Sequence, residues 1–473
     1  MRKSYFIYLA FWAFIVVIKT APIQAQAPNS LSRADRLYGV SRFWQEVNYN
    51  FVFLDKVDRQ QWDSLYKETL LRCQETASDY EYYLLLQKLC ASLKDGHTNV
   101  YFPNEVAKNL YTTSFGSYRF FLSYFDQKYI ITRVNASKKE EVPVGSEIVE
   151  VNGLPAATYA NRYVKPYIAS STDYVLESQA AYDLLKGYIG SKYTIVIKTP
   201  AGVLKTLKLE HQPTEEKEVY PPFENRALLD HKVMDHGVHY LALNSFENIK
   251  IDSLFHDVLP QLYKARGLII DLRYNGGGNT NIGFDILQYF THAKSLAGSK
   301  SLTREHQAAY KAWGAFMTPA DTIISQADGE SAHEEAIKCY LMANDKAYYT
   351  FPYAPSKVWT KDKRLVVPTV VLMGNNTASA AEDFLIYADA LPHFTYMGDK
   401  SFGSTGQPYL FNLPGGGRAR VCTKKDVYPD GREFVGYGIA PDIYVKPSLE
   451  QYLSNNDVVL EKAMEFLGDK LKK

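Results

Sequence analysis

A serine, a histidine and a run of glycines stand in short segments whose residue types suit hydrolytic chemistry. Ser379 lies in NNTASAAEDFLIYADAL, directly after the apolar run RLVVPTVVLMG. His97 lies in LKDGHTNVYFP, and Gly276 and Gly277 lie in DLRYNGGGNT. A serine hydroxyl becomes a nucleophile when a base removes its proton, and glycine amides in a turn can face an oxyanion closely. These segments raise the hypothesis of acyl transfer.

Each of these segments also has a purely structural interpretation. Ser379 and Glu382 form a capping box, and the apolar residues that follow recur at helical spacing. The glycine run lacks the Lys-Ser or Lys-Thr of a phosphate loop and the spacing G-x-G-x-x-G, so it is either a turn or an oxyanion site. His97 follows an Asp-Gly turn, where a lone histidine is ordinarily solvated. Local sequence alone leaves both interpretations open.

Metal and cofactor chemistry has no support in the sequence. The histidines of HKVMDHGVHY have no spacing that puts a pair on one helix face, and HEEAI lacks the second histidine of a zinc protease. No Cys-x-x-Cys pair and no G-x-S-x-G elbow is present. The four cysteines are too scattered for a disulfide framework: Cys73, Cys90, Cys339 and Cys422. We therefore predict neither a metal nor a cofactor.

Composition and the first residues indicate a globular, extracytoplasmic protein. The chain has 473 residues, 46% of them hydrophobic, and its 53 basic and 52 acidic side chains give a formal charge of +1. No basic field or reader motif points to nucleic acid. Residues 1–27 read as a signal peptide: Arg2 and Lys3, an apolar run too short to span a bilayer, then small residues at Ala25 and Ala27. We expect a secreted or periplasmic mature protein with no membrane span.

The hydrophobic period divides the rest of the chain. Residues 32–93 show helical spacing, and residues 115–209 show short strands, with AGV as a hairpin connection. Residues 211–222 read as a linker. From Val238 strands and helices alternate, which predicts a sheet of parallel βαβ units. Residues 301–353 are polar and less regular and read as an insertion.

Five motifs together resemble the C-terminal processing, or tail-specific, serine peptidases of family S41. They are KDGHT, VGSEIVEVNG, GLIIDLRYNGGG, TASAAED and GYGIAPDI, in the order of the family. The resemblance implies a multidomain α+β and α/β chain. Its expected parts are a signal peptide at 1–27, a helical N-terminal domain at 28–110, a PDZ-like β-rich domain at 115–212 and a crotonase-like (ClpP-like) α/β catalytic core at 213–473.

The resemblance also implies a division of roles at the site. Many members pair the serine with a lysine about 25 residues downstream, but Ser404 stands at that position, and Lys400 lies on the other side of a turn. The tricorn-like branch instead uses a histidine from the segment that DGHT resembles, so His97 takes the role of base. Glu433 is its possible orienter. Gly96 replaces the hydroxyl of that branch, unless Ser404 substitutes for it.

The expected activity is hydrolysis of peptide bonds in protein or peptide substrates. Ser379 attacks, His97 carries the proton, and amides of Ala380 and of Gly276 or Gly277 form the oxyanion hole. With a histidine of ordinary pKa, turnover should rise through pH 6 to 7. The rival from another class is an inactive protein of the same fold that binds a peptide or an apolar ligand. The oligomeric state stays open.

Overall fold

The computed structural model describes residues 31–324 and 329–472. The predicted signal peptide, residues 1–27, lies outside the described residues. Within the described part of the chain, no helix combines the length and the apolar character that crossing a bilayer requires.

The N-terminal region is helical, as its sequence period predicts. Its elements are α1 (Arg33–Asn50), α2 (Arg59–Arg72), α3 (Asp79–Ala91), β1 (Asn99–Tyr101), α4 (Asn104–Ala107) and β2 (Leu110–Tyr111). The N-cap residues of the first three helices are Ser32, Asp58 and Ser78, and each of these side chains accepts a hydrogen bond from a first-turn amide. The segment that carries His97 connects α3 to β1.

The middle unit, residues 114–220, is a mostly antiparallel sheet with two helices. Its elements are β3 (Ser114–Phe115), β4 (Tyr118–Phe125), β5 (Lys128–Asn135), β6 (Glu147–Val151), β7 (Leu154–Pro155), α5 (Ala156–Tyr163), α6 (Asp173–Tyr182), β8 (Gly187–Tyr188), β9 (Lys192–Lys198), β10 (Leu204–Glu210) and β11 (Val219–Tyr220). The strand order is β10-β9-β6-β5-β4-β3. β9 and β10 form the predicted hairpin, but part of the predicted linker is strand, because β11 pairs with β5.

The central sheet confirms the prediction of parallel βαβ units. Its first part consists of β12 (Leu229–Val233), β13 (Val238–Leu243), α7 (Lys250–Leu262), β14 (Gly267–Asp271) and α8 (Thr280–Leu287). After an insertion it continues with β19 (Thr369–Met373), α12 (Ala380–Ala388), β20 (Phe394–Gly398) and β24 (Ile443–Tyr444). The order is β12-β13-β14-β19-β20-β24, and every pair except β12-β13 is parallel. Successive carboxyl ends therefore meet at one edge of the sheet.

The insertion is more regular than the sequence predicts. It consists of β15 (Ser295–Leu296), β16 (Lys300–Arg304), α9 (Ala308–Gly314), α10 (Pro319–Ile324), α11 (Glu330–Ala343), β17 (Tyr348–Thr350) and β18 (Ser356–Lys357). The remaining elements are β21 (Pro408–Asn412), β22 (Arg418–Cys422), β23 (Lys425–Val427), α13 (Leu449–Leu453) and α14 (Val458–Leu471). β22 pairs with β1, and β23 pairs with β16, so the C-terminal part reaches back to both earlier regions.

The apolar cores explain how these parts hold together. One core joins α1–α3 to one face of the central sheet and includes Phe43, Leu268 and Phe384. α14 covers the opposite face, where Ile269 lies, because successive strand residues point to opposite sides. The middle unit has a separate core of its own.

Candidate active site

Ser379 lies in the turn between β19 and α12 with an unusual backbone. Its φ is 55° and its ψ is −121°, a conformation that costs a non-glycine residue free energy and persists only where its surroundings enforce it. Thr377 provides part of that enforcement: its hydroxyl donates to Leu272 O at 2.9 Å and accepts from Gly374 N at 3.0 Å. The turn is thus tied to the end of the neighbouring strand β14.

Asn275 ties the glycine turn to the serine turn. Its fully buried side chain donates to Leu243 O and accepts from Gly277 N, both at 2.9 Å. Its main-chain oxygen accepts from Ala378 N at 3.1 Å, one residue before Ser379. A single asparagine therefore fixes β13, the glycines and the serine turn relative to one another.

Gly277 packs directly against the serine. A Cβ built on it would lie 2.7 Å from Ser379 Cβ, 2.7 Å from Ala378 O and 2.9 Å from Ala380 N, and its φ is +99°. The assignment of the Gly277 amide to an oxyanion hole needs correction, because that amide already donates to Asn275. Gly276 is exposed, and a Cβ there would meet nothing within 4 Å.

Glu382 connects the serine to the loop after β20. The carboxylate accepts from Ser379 N at 3.0 Å and Ser404 N at 3.3 Å on one oxygen, and from Ser401 Oγ at 2.6 Å and Gly403 N at 2.7 Å on the other. The side chain is fully buried, and this burial raises its pKa to about 8, against the four donors that favour the carboxylate. Its predicted hydrogen bond to the amide of Ser379 is present, but no sequence pattern indicated its other three partners.

His97 contacts the same loop from the N-terminal region. Its Nδ1 lies 2.7 Å from Ser404 Oγ, across 307 positions of sequence. Asp95, which is buried, accepts from Thr98 Oγ1 at 2.6 Å and fixes the turn that presents the imidazole. Hydrogen bonds thus link His97 to the hydroxyl of Ser404, and Glu382 to the amides of Ser404 and Ser379.

Electrostatics make His97 a neutral imidazole over most of the pH range. Burial and the nearby cations Arg420 and Lys424 lower its pKa to about 4. The expected rise of turnover through pH 6 to 7 therefore has to be revised to a lower pH. The free ring nitrogen, Nε2, is unprotonated if Nδ1–H donates to Ser404.

Glu433 does not take the position expected of an orienter. Its carboxylate pairs with Lys56 at 3.2 Å and with Lys425, and the histidine nitrogen that an orienter would bind is occupied by Ser404. Burial works against its ionisation, but the two ammonium groups lower its pKa. Lys400 contributes its main-chain oxygen, which accepts from Asn375 Nδ2 at 2.8 Å.

Comparison with known proteins identifies relatives of this chain. Residues 237–445 match the model of Peptidase family S41. The carboxy-terminal processing protease CtpB of Bacillus subtilis (strain 168) is 23% identical over 445 residues, which are 90% of this chain and 72% of that protein. A carboxyl-terminal-processing protease of Synechocystis sp. is 27% identical over 249 residues, 51% of this chain and 46% of that protein.

A solved structure shares the fold. The structure of mature CPAF complexed with lactacystin superposes with a TM-score of 0.65 at 13% identity, over 93% of this chain and 99% of that one. A mixed helix-and-sheet fold of this kind, with the matched peptidase domain, defines the class as serine-type peptidase. Over residues 237–445 the chain is therefore similar to peptidase family S41.

Proposed function

We propose that the chain is an extracytoplasmic serine endopeptidase that uses Ser379 as nucleophile and His97 as general base. The observation that carries this proposal is the hydrogen-bond chain from His97 through Ser404 and Glu382 to the amide of Ser379. The backbone conformation of Ser379 costs free energy of folding, and strain of this kind concentrates at functional sites.

The proposed reaction proceeds in two acyl-transfer steps. His97 Nε2 takes the proton from Ser379 Oγ as the oxygen forms a bond to the peptide carbonyl carbon. The C–N bond then breaks, and the imidazolium returns the proton to the leaving amine. In the second step His97 takes a proton from water as the water oxygen forms a bond to the acyl carbon. The bond from that carbon to Ser379 Oγ then breaks, and the imidazolium returns the proton to Oγ, which releases the acid and regenerates the hydroxyl.

The amide of Ala380 is the first proposed donor to the oxyanion. It belongs to the first turn of α12, where main-chain N–H groups have no partner within the helix and the helix dipole favours negative charge. The amide of Gly276, which is exposed beside the serine turn, is the second proposed donor. Each such donor stabilises the transition state by about 3 kcal/mol.

Ser404 is the proposed orienter of the histidine. Its hydroxyl lies 2.7 Å from Nδ1, and its own amide is held by Glu382. A hydroxyl that accepts from Nδ1–H orients the imidazole ring and leaves Nε2 unprotonated, without adding negative charge. This role differs from the carboxylate expected at Glu433 and is consistent with a histidine whose pKa is lowered.

A cleft of about 1140 Å³ next to the serine turn is the proposed route for the peptide. Leu122 of β4, Glu177 of α6 and Asn376 of the serine turn line it. We assign the middle unit as the PDZ-like domain. β6, within the motif VGSEIVEVNG, is paired on both sides, whereas β4 beyond Arg119 pairs only with β5 among the described strands. β4 is therefore the proposed edge for an added peptide strand.

Labelling with a fluorophosphonate, followed by peptide mass spectrometry, tests the proposal. We expect a covalent adduct on Ser379 in the wild type and none in Ser379→Ala. Ser253→Ala, which alters an exposed serine on α7, is the control and should label as the wild type does.

His97→Ala separates the enzyme from the rival binding protein. Loss of at least a hundredfold in the labelling rate and in hydrolysis of denatured casein is expected, since general-base catalysis contributes about 10² to 10⁴. Absence of any adduct in the wild type between pH 4 and 9 would support an inactive peptide- or ligand-binding protein. Near-normal turnover of His97→Ala would remove the histidine from the mechanism.

A further inference from the structure

Two hydrogen bonds made by residues on either side of Lys424 hold it close to the candidate histidine. Cys422 N, two residues before it, donates to Thr98 Oγ1 at 3.0 Å, and Thr98 directly follows His97. Asp426, two residues after it, accepts from Thr405 Oγ1 at 3.3 Å, and Thr405 directly follows Ser404. Hydrogen bonds therefore fix the segment that carries Lys424 to the residues that directly follow His97 and Ser404.

The ammonium group of Lys424 rests on a buried carboxylate. Nζ lies 3.1 Å from Asp426 Oδ2, and the side chain of Asp426 is fully buried whereas that of Lys424 is 29% exposed. Ser301 Oγ also donates to Asp426, at 2.7 Å. The carboxylate of Asp426 is thus covered, whereas the Lys424 side chain is partly exposed.

A second buried carboxylate, that of Asp383, acts on the charge of Lys424. Asp383 is buried and accepts from Thr280 Oγ1 and Ser299 Oγ, both at 2.6 Å. Burial works against the ammonium form of Lys424, but Asp426 and Asp383 raise its pKa. The amine therefore stays charged, which makes it unsuited to the role of general base and suited to binding an anion.

The other cation near His97 is already engaged. Arg420 Nε donates to Asn99 Oδ1 at 2.7 Å, and its guanidinium lies 5.8 Å from the ring centre of Tyr101. Lys424 is also paired, with Asp426, but a single ammonium group has three N–H donors and its side chain is partly exposed, so it can bind a further anion.

We propose that Lys424 forms a subsite that binds a carboxylate of the substrate on the leaving-group side of the scissile bond. This inference rests on the proposed function, in which His97 returns its proton to the leaving amine. The leaving chain therefore departs past the imidazole, whose pKa the nearby charge of Lys424 lowers. The carboxylate is either an Asp or Glu side chain shortly after the cut or the free end of the substrate chain.

Matched peptides measure the preference. A site that the wild type cuts in denatured casein is identified by mass spectrometry, and four peptides are made on it. Two carry Asp or Asn at the second position after the cut in an amidated chain. Two end at that position, one as the free acid and one as the amide. We expect kcat/KM to favour the carboxylate by about fivefold in one pair or both, as for a partly exposed ion pair. The pair that responds identifies the source.

The ratio within each pair is then compared among variants. Lys424→Met should bring it to about one, and Lys424→Arg should retain it. Lys425→Met removes a charge at the adjacent residue, whose side chain pairs with Glu433, and should leave it unchanged. Because each ratio compares two peptides on one enzyme, a changed pKa of His97 cancels.

The outcomes separate this inference from the proposed function. If wild type cuts all four peptides without preference, or if Lys424→Met keeps the preference, the subsite is wrong while the peptidase stands. If no peptide is cut and no probe adduct forms, the proposed function fails first. Should Lys424→Met fail to fold because Asp426 is left unpaired, Lys424→Met with Asp426→Asn removes both charges and carries the same expectation.

Discussion

At the scale of single residues, the site depends on charge and strain that the protein imposes. Ser379 is held at a φ of 55° by the hydrogen bonds of its own amide and of the Ala378 amide, and by the packing of Gly277. His97 is kept neutral by burial and by two neighbouring cations. Both features cost stability, and both prepare the groups for the reaction that we propose. Each has a measurable consequence in pH dependence or in the effect of substitution.

The pH dependence of kcat/KM should reflect the low pKa of the histidine. Since the imidazole must be neutral to accept a proton and its pKa is about 4, activity should rise with a midpoint near pH 4 and be level by pH 6. The measurement is initial rate on a fluorogenic peptide between pH 3 and 8. A midpoint near 6.5 would contradict the burial of the ring.

Acid unfolding has to be separated from this effect. The folded-state pKa of His97 lies below its unfolded value of about 6.5, so the unfolded chain binds the extra proton between these values. Stability is therefore full above pH 6.5 and falls as the pH falls towards 4, by at most about 3 kcal/mol from this group. Circular dichroism at each pH shows which part of the rate loss is unfolding.

Above pH 8, where the side chain of Glu382 is ionised, Glu382→Gln should reduce activity by at least tenfold and lower the Tm. The amide replaces one acceptor oxygen by a donor, which then faces main-chain N–H or hydroxyl groups and leaves at least one without a partner. A buried unpaired group costs about 1–3 kcal/mol. Glu461→Gln, at an exposed position on α14, is the control. Unchanged rates in Glu382→Gln would show that the four hydrogen bonds do not position the serine.

At the scale of elements, the site is assembled from loops at the carboxyl ends of parallel strands. The turn after β14 carries the glycines, the turn after β19 carries Ser379, and the loop after β20 carries Ser404. Parallel strands place these three connections at one edge of the sheet. The fourth contributor, the segment between α3 and β1, reaches this edge because β1 pairs with β22.

Gly277→Ala should disrupt the junction of the two turns. Its Cβ would lie 2.7 Å from Ala378 O, and the residue has a φ of +99°, so the backbone must shift at a cost of about 1–3 kcal/mol. We expect a lower Tm and a loss of kcat of at least a hundredfold.

Gly276→Ala is the matched control for this substitution. Its Cβ meets nothing within 4 Å, so the Tm should stay within a degree or two of the wild type. The rate of peptide hydrolysis by Gly276→Ala shows whether a methyl group at this position obstructs the space in which we propose that the substrate carbonyl lies. Equal Tm losses in the two variants would contradict the packing of Gly277 on Ser379.

At the scale of the whole molecule, the core of the middle unit is separate from the cores on the two faces of the central sheet, and this division determines how the chain unfolds. The core that contains Phe43 of α1 also contains Leu268 of β14, so the N-terminal helices and the central sheet stabilise each other. The middle unit, with Ile195 at its centre, has its own core. We therefore expect two cooperative units.

Hydrogen exchange measured by mass spectrometry tests this division. Ile195→Ala should accelerate exchange within residues 114–220, since truncating a buried isoleucine costs about 2–5 kcal/mol. Phe43→Leu should accelerate exchange in α1–α3 and in the central sheet together. Acceleration confined to the three helices would show that they form a separate domain without a shared core.

Short-range patterns in the sequence were sufficient to predict the local features. Helical spacing in residues 32–93, alternating strands and helices after Val238 and the Glu382 bond to the Ser379 amide are properties of short segments, and the structure confirms each of them. The motifs in their order also indicated the family. The insertion was harder to predict, because α9 and α10 have only 7 and 6 residues, and helices this short depend on packing rather than on their own sequence.

The partners of those residues follow from the tertiary structure. That Ser404 rather than Glu433 contacts His97 depends on a contact between segments far apart in the chain. Asn275 binds the Gly277 amide because its own side chain is buried between the ends of two strands. The low pKa of the histidine likewise follows from burial and from two cations, one in β22 and one between β22 and β23. Hydrogen bonding and desolvation act over a few ångströms in space, and a sequence records only the order of residues along the chain.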